Sequence, residues 1–251
     1  MRSLRNQAHQ RNYSIRSYEV DAGGRMSVPS IFNLLQDAAS SHALELGVAV
    51  SQLLAGNHTW ALSRILLRMS YYPVWRDTVK IFTWPSGIRG AFAFRDFDIR
   101  DELDRSIGCA RSAWIVLNAE SRRPVRPSVF ADRLKPSEST PVTDDVLNKL
   151  QQPGGGTCFE KRFNVRYGDL DINQHTNNVS YIEWLLESIP WVGEKGSELK
   201  TLEINFLGEA LQGDQVIARC FSFHQNRTVS QHDIVREKDG HELIRARTRW
   251  R

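Results

Sequence analysis

Between Asp169 and Asn178 the chain reads DLDINQHTNN, two carboxylates, four carboxamides and an imidazole among ten residues, with only Leu170 and Ile172 apolar. Such groups can accept, donate and relay protons, the functions of general acid–base catalysis. Local structure offers a competing explanation, because Asp and Asn are favoured helix caps and Asp-Leu-Asp-Ile-Asn also reads as a turn. Capping accounts for any one of Asp169, Asp171, Asn173, Asn177 or Asn178. It does not call for all five together with His175. Asp171, Asn173 and His175 alternate, which in an extended segment aims three functional side chains to one side.

The elements around this stretch must hold it in place. A strand, FEKRFNVRY, leads into it, and a helical pattern, NNVSYIEWLLESI, follows and is ended by Pro190. The polar run therefore sits at a helix N-terminus, where unpaired backbone N–H groups favour negative charge. Strands LKTLEINFLG, DQVIARCFSF, SQHDIVRE and HELIRARTRWR come after. The first half has the same order. Apolar residues at 28, 31, 34, 35, 38, 39 and 43 form a helical stripe within Met26–Leu46, bounded by Pro29 and Gly47. Strand patterns WALSRILLRMSYY, TVKIFTWPS, GAFAFRDFDIR and SIGCARSAWIVLN follow it.

Two local echoes accompany this order. Ala110-Arg-Ser-Ala-Trp114 recurs as Ala246-Arg-Thr-Arg-Trp250, and Asp77-Thr-Val79 as Asp214-Gln-Val216. Together they predict a tandem repeat of an α+β unit. A single helix among antiparallel strands hides its stripe when the sheet curves around it, so the expected fold is a tandem, or double, hot-dog. Two such units commonly pair sheet to sheet, which protects strand edges. The expected divisions are a flexible basic N-terminus at 1–12, a first repeat at 13–126, a linker at 127–156 and a second repeat at 157–251. The linker carries Pro, Ser, Gln and a GGG triplet, with one short helical pattern at TDDVLNKL.

Bulk properties narrow the classes. The composition of these 251 residues is ordinary for a globular protein, and no apolar run is long enough to span a membrane. The start, MRSLRNQAHQRN, lacks the apolar core of a secretory signal. Cys109, Cys158 and Cys220 are odd in number and widely spaced, fitting neither a disulfide framework nor a metal site and pointing to a reducing cytoplasm. The net charge of +4 admits an acidic partner, but no basic tract or RNA-binding motif indicates nucleic acid. No cofactor or metal is expected. Pairing of two chains into a homodimer is left open.

The segment RYGDLDINQHTNNVSYIEWLLESIP resembles the signature of the acyl-acyl-carrier-protein (acyl-ACP) thioesterases, which release fatty acids from their carrier protein. The resemblance extends through RSYEVDAGGRMSVPSIFNLLQDAA, WALSRILLRMSYYPVWRDTVKIFTW and WIVLNAESRRPVRP, and that family's fold is a tandem hot-dog. It implies catalysis in the second repeat by Asp171, Asn173 and His175, with Glu209 in LEINFLGEALQGD. Taken alone, Glu209 reads as a solvated strand-end carboxylate beside a turn. Many plant members carry a Cys after this Glu, whereas Ala210 stands here, so no cysteine nucleophile is expected and water attacks the thioester. Glu209 would activate that water with help from Asn173, while Asp171 and His175 form a charge-assisted pair. The reverse assignment, with Asp171 as base and Glu209 as orienter, fits the sequence equally well.

The first repeat has VDAGGRMSVPS where the second has its polar run, so it is expected to supply no chemistry. In the family this half shapes the acyl tunnel, making Ile31, Leu34, Leu35 and Ala38 candidates to meet substrate as well as core. The partner implied is an acyl carrier protein, acidic and bearing a phosphopantetheine arm, which Arg122, Arg123, Arg126 and Arg133 could steer. His42, His58, His224, His232 and His241 show no partner pattern and read as packing or surface residues. Rival readings are an acyl-CoA thioesterase of the same fold, a hot-dog dehydratase, and a non-catalytic acyl-binding regulator.

Overall fold

In the computed structural model, which describes residues 8–136, 141–194, 196–222 and 228–251, the first helical stripe becomes α1 (Val28–Glu45). Ser27 caps it by accepting the Ser30 N–H, and Pro29 occupies its first turn. Ile31, Phe32, Leu34, Leu35, Ala38 and Ala39 on its inner face are all buried, including the four tunnel candidates. Each fully buried Ile or Leu contributes about 1.5–3 kcal/mol relative to exposure. A short helix α2 (Val50–Leu54), for which no pattern was evident, follows the turn at Gly47.

The chain forms two compact units, Met1–Leu147 and Asn148–Arg251. In the first, β1 (His9–Ser14), β2 (His58–Met69), β3 (Thr78–Arg89), β4 (Phe92–Arg100) and β5 (Ser106–Asn118) lie antiparallel in the order β1-β3-β4-β5-β2. The short β6 (Pro124–Val125) pairs with β5. In the second, β7 (Thr157–Asn164), α3 (Asn178–Glu187), β8 (Leu199–Phe206), β9 (Gln215–Ser222), β10 (Val229–Arg236) and β11 (Glu242–Trp250) give the order β7-β9-β10-β11-β8. The two orders are the same topology. Each unit is a hot-dog, and the chain is a tandem hot-dog protein. Along β9 burial alternates residue by residue, with Val216, Ala218, Cys220 and Ser222 inward, as period-two patterning requires. Beneath α3, Tyr181, Ile182 and Leu185 are almost wholly buried. Among the described residues no helix is long and apolar enough to cross a membrane.

Two expectations need correction. Residues 9–12, which composition alone assigns to a solvated terminus, belong to β1 and pair with β3 from His9 opposite Thr83 onward. An edge strand bonded on one side tolerates polar residues, and it gains anchors from Tyr13 Oη donating to Asp37 (2.7 Å) and His9 stacking on His42. The second concerns residues 143–150, whose pattern predicts a short helix but which form neither helix nor strand. Arginine side chains take up the carbonyls that a helix would have bonded internally: Arg111 Nη1 donates to Asp145 O (3.1 Å) and Arg64 Nη1 to Leu147 O (2.5 Å). Leu147 then buries against Leu66 and Ala113. Residues 1–7 and His224 lie outside the described residues.

Candidate active site

The polar run of the second unit is a tight loop closed by its first aspartate. Asp171 N–H donates to His175 O (2.8 Å), while Asp171 Oδ1 accepts the N–H groups of Asn173 (2.8 Å) and His175 (3.2 Å). Asn173 Nδ2 donates to Asp171 Oδ2 (3.3 Å), and Gln174 adopts a left-handed φ of 62°. The His175 ring turns the other way. Its Nδ1 lies 2.8 Å from Glu209 Oε2, bridging 34 residues of sequence, with the two side chains 33% and 45% exposed. Asp171, Asn173, His175 and Glu209 thus come together in one unit. The expected side-chain pair between Asp171 and His175 is replaced by a backbone clasp, because the carboxylate is occupied in shaping the turn.

The first unit contains the same turn without the same chemistry. Asp21 N–H donates to Arg25 O (2.7 Å), Asp21 Oδ1 accepts from Gly23 (2.8 Å) and Arg25 (3.0 Å), and Gly24 has a φ of 75°. Gly23 therefore stands where Asn173 does, and Arg25 where His175 does. Farther along, Met26 N–H donates to Pro73 O as Thr176 N–H does to Ala210 O, which puts Tyr72 in the place of Glu209. The aspartate is common to both loops, so its type reports the turn. The groups peculiar to the second unit are Asn173, His175 and Glu209.

Glu209 is held from behind. Ala210 is fully buried; its N–H donates to Tyr181 Oη (2.7 Å) and its carbonyl accepts from Thr176 Oγ1 (2.7 Å). Sequence reading missed Tyr181 and Thr176, which look there like ordinary helix and loop residues; only the fold sets them against residue 210. Tyr181→Phe strands a buried N–H, costing about 1–3 kcal/mol, and frees the Glu209 backbone to move. Because displacements near 1 Å can cost about 100-fold in rate, we expect kcat for a thioester to fall roughly 10- to 100-fold with KM little changed, measured in parallel with a melting curve.

Other members of the run serve structure. Asp169 is buried and accepts from the Arg166 backbone and guanidinium, while its own carbonyl receives Asn177 N–H (2.8 Å) and Ser180 Oγ (3.2 Å). Burial alone would raise its carboxyl, but the Arg166 hydrogen bonds and charge outweigh that and hold it low. Asn177 caps α3 by accepting from Val179 N–H. No thiol joins the site: Ala210 takes the place after Glu209, and burial pushes the Cys220 thiol up to about 12. His42 and His232 are core residues.

Profiles of the acyl-ACP thioesterase N-terminal and C-terminal domains match residues 6–132 and 156–251. The chain belongs to the acyl-ACP thioesterase family. A palmitoyl-acyl carrier protein thioesterase of Gossypium hirsutum is 31% identical, aligning with 96% of this chain and 63% of its own length. Its Arabidopsis thaliana counterpart is 30% identical over 95% of this chain and, likewise, 63% of its own. The chain therefore spans a little under two thirds of these curated relatives, both of which are named as chloroplastic. In fold it is similar to the 12:0-ACP thioesterase of Umbellularia californica, with a TM-score of 0.86 at 24% identity over 97% of each chain. An acyl-ACP thioesterase from Bacteroides thetaiotaomicron gives 0.84 at 24% identity, covering 99% of this chain and 100% of its own.

Proposed function

We propose that the chain hydrolyses the thioester of an acyl-acyl-carrier protein, releasing free fatty acid. The observation that carries this reading is the 2.8 Å contact between His175 Nδ1 and Glu209 Oε2 at an accessible loop. A carboxylate only accepts, so it stabilises the imidazole tautomer with the proton on Nδ1 and a bare lone pair on Nε2. His175 is then the base and Glu209 its orienter. Asn173, with its NH₂ turned to Asp171, offers its carbonyl oxygen to the attacking water.

Water adds to the thioester carbon as Nε2 takes its proton, giving a tetrahedral oxyanion and an imidazolium that Glu209 stabilises. Collapse breaks the C–S bond, and the imidazolium returns the proton to the departing pantetheine thiolate. A backbone N–H at the start of α3 is the donor assigned to the oxyanion in this reading; one such donor typically contributes about 3–4 kcal/mol. Each step needs only this chain, substrate and water.

The carrier partner is read from charge. Arg122 and Arg123 sit exposed at the tip of the β5–β6 hairpin, and Arg126 is exposed just beyond, whereas Arg133 is tied to Gly47 O (2.8 Å). Reversing the charges of Arg122 and Arg123 should raise KM for a carrier-bound thioester severalfold and spare a small thioester; equal effects on both would refute the steering role. The decisive experiment compares hydrolysis of carrier-bound and coenzyme A thioesters of graded chain length. Faster turnover of the coenzyme A series would favour the rival thioesterase reading. An unsaturated thioester as product would indicate a dehydratase, and binding without turnover would leave only a regulator.

A further inference from the structure

The loop that carries Glu209 is gripped by the turn between β10 and β11. Arg236, the last residue of β10, has its Nη1 3.4 Å from the Glu209 carbonyl oxygen and 3.7 Å from Asp214 Oδ2. Its Nε lies 3.1 Å from both carboxylate oxygens of Asp239, and its Nη2 2.9 Å from Asp239 Oδ2. Asp214 in turn closes the loop, its Oδ2 accepting Leu211 N–H (3.0 Å) and its carbonyl Val165 N–H (2.9 Å). One guanidinium therefore joins a buried acid, an exposed acid and the main chain of the residue that meets His175. The stem before Glu209 is pinned from β11: Leu207 and Gly208 N–H both donate to Leu243 O (2.8 and 3.1 Å), and the His241 ring lies so close over Gly208 that a Cβ there would come within 2.7 Å of its Nε2.

The first unit has the loop without the grip. Asp77 closes the matching turn in the same way, its Oδ2 accepting Val74 N–H (2.9 Å) and its carbonyl Ile15 N–H (2.9 Å). Among the described residues no arginine or lysine meets Asp77. Asp101 stands in the place of Arg236: its N–H closes the β4–β5 turn onto Arg105 O (3.0 Å) as Arg236 N–H closes its own onto His241 O (2.8 Å). The Asp101 carboxylate bonds only within that turn, to Leu103 and Arg105. With Tyr72 in the place of Glu209, Tyr71 falls where Gly208 is. The turn-closing aspartate is common to both units, so it reports the fold. The guanidinium and the bare glycine belong to the unit whose loop must bring a carboxylate to an imidazole. A partly exposed ion pair such as Arg236–Asp239 adds little stability, whereas a functional side chain depends on the groups that fix its backbone.

We propose that Arg236 is a positioning residue: by tethering the Glu209 carbonyl to Asp214 and Asp239, it sets where the Glu209 carboxylate meets His175 Nδ1. The role rests on His175 acting as the base of the proposed hydrolysis.

The test uses ¹⁵N NMR of the histidine rings in the full chain, which reads the nitrogen of His175 that carries the proton whether or not the chain turns over substrate. Wild type should hold the proton on Nδ1, and so should Lys238→Ala, which removes an Asp214 partner (2.6 Å) on the oxygen away from Arg236. Glu209→Ala gives the unpaired reference, with the proton shifted towards Nε2. Arg236→Ala should lie near that reference, and Arg236→Lys, which keeps the charge but loses the fork, should fall between; the lysine variant carries the test if the alanine variant does not fold. With S-decanoyl pantetheine as substrate, Arg236→Ala should lose about tenfold or more in kcat while KM stays within about twofold, and Lys238→Ala should match wild type. Should Arg236→Ala keep the wild-type ring signal or the wild-type kcat, or should Lys238→Ala lose as much as Arg236→Ala, the positioning role is overturned while hydrolysis by the wild type stands. A ring proton that depends on Arg236 in a wild type that cleaves no thioester would uphold the positioning role and overturn the hydrolytic reading instead.

Discussion

Replacing His175 with alanine, or Glu209 with glutamine, lowers kcat for a carrier-bound acyl thioester by about 10²- to 10⁴-fold, the range expected of a positioned general base, while KM changes little. The imidazole and carboxylate act as a unit through one hydrogen bond of 2.8 Å. Removing either therefore disables the same proton transfer, and the double variant should be scarcely slower than the worse single one. Neither side chain is buried, so melting temperatures should stay close to wild type. Release of free thiol at saturating substrate measures the effect. If either variant kept more than a tenth of the wild-type rate, the assignment of His175 as base would fail.

Asp171→Ala should be nearly as damaging, and for a different reason. Its Oδ1 holds the N–H groups of Asn173 and His175, so alanine releases the loop that carries both functional side chains. We expect a loss of at least about 100-fold in kcat, in line with the effect of misplacing catalytic groups. Asp171→Asn retains the accepting oxygen and should remain within about tenfold of wild type, because asparagine closes the same kind of turn. If Asp171 were the base, asparagine would be as inactive as alanine. Asp21→Ala provides the control: the same clasp is lost in the first unit, with about 1–3 kcal/mol of stability at stake, yet hydrolysis should persist in the folded fraction. Rates and denaturant midpoints for the four proteins separate turn-making from proton transfer.

The comparison of Asp21 with Asp171 shows where reading the chain worked. The stripe from residue 28, the alternation along β9 and the echo of Ala110–Trp114 at Ala246–Trp250 are properties of neighbouring residues, and they carried through to α1, the sheets and the repeated topology. Residues 143–150 went the other way. Their helical spacing is real, but Arg64 and Arg111, far away in sequence, bid for the same carbonyls and won. β1 had too little apolar content to be seen as a strand, and its partner β3 begins some 64 residues later at the nearest pairing, Ser14 with Thr78.

By itself the sequence determined the hot-dog repeat and the loop that gathers Asp171, Asn173 and His175, because periodicity, caps and turns act over a few residues. Tertiary structure alone decided which carboxylate meets the imidazole and how Tyr181 and Thr176 brace it. Those outcomes depend on distances between side chains tens of residues apart, which are set only when the helix and sheet of each unit pack together.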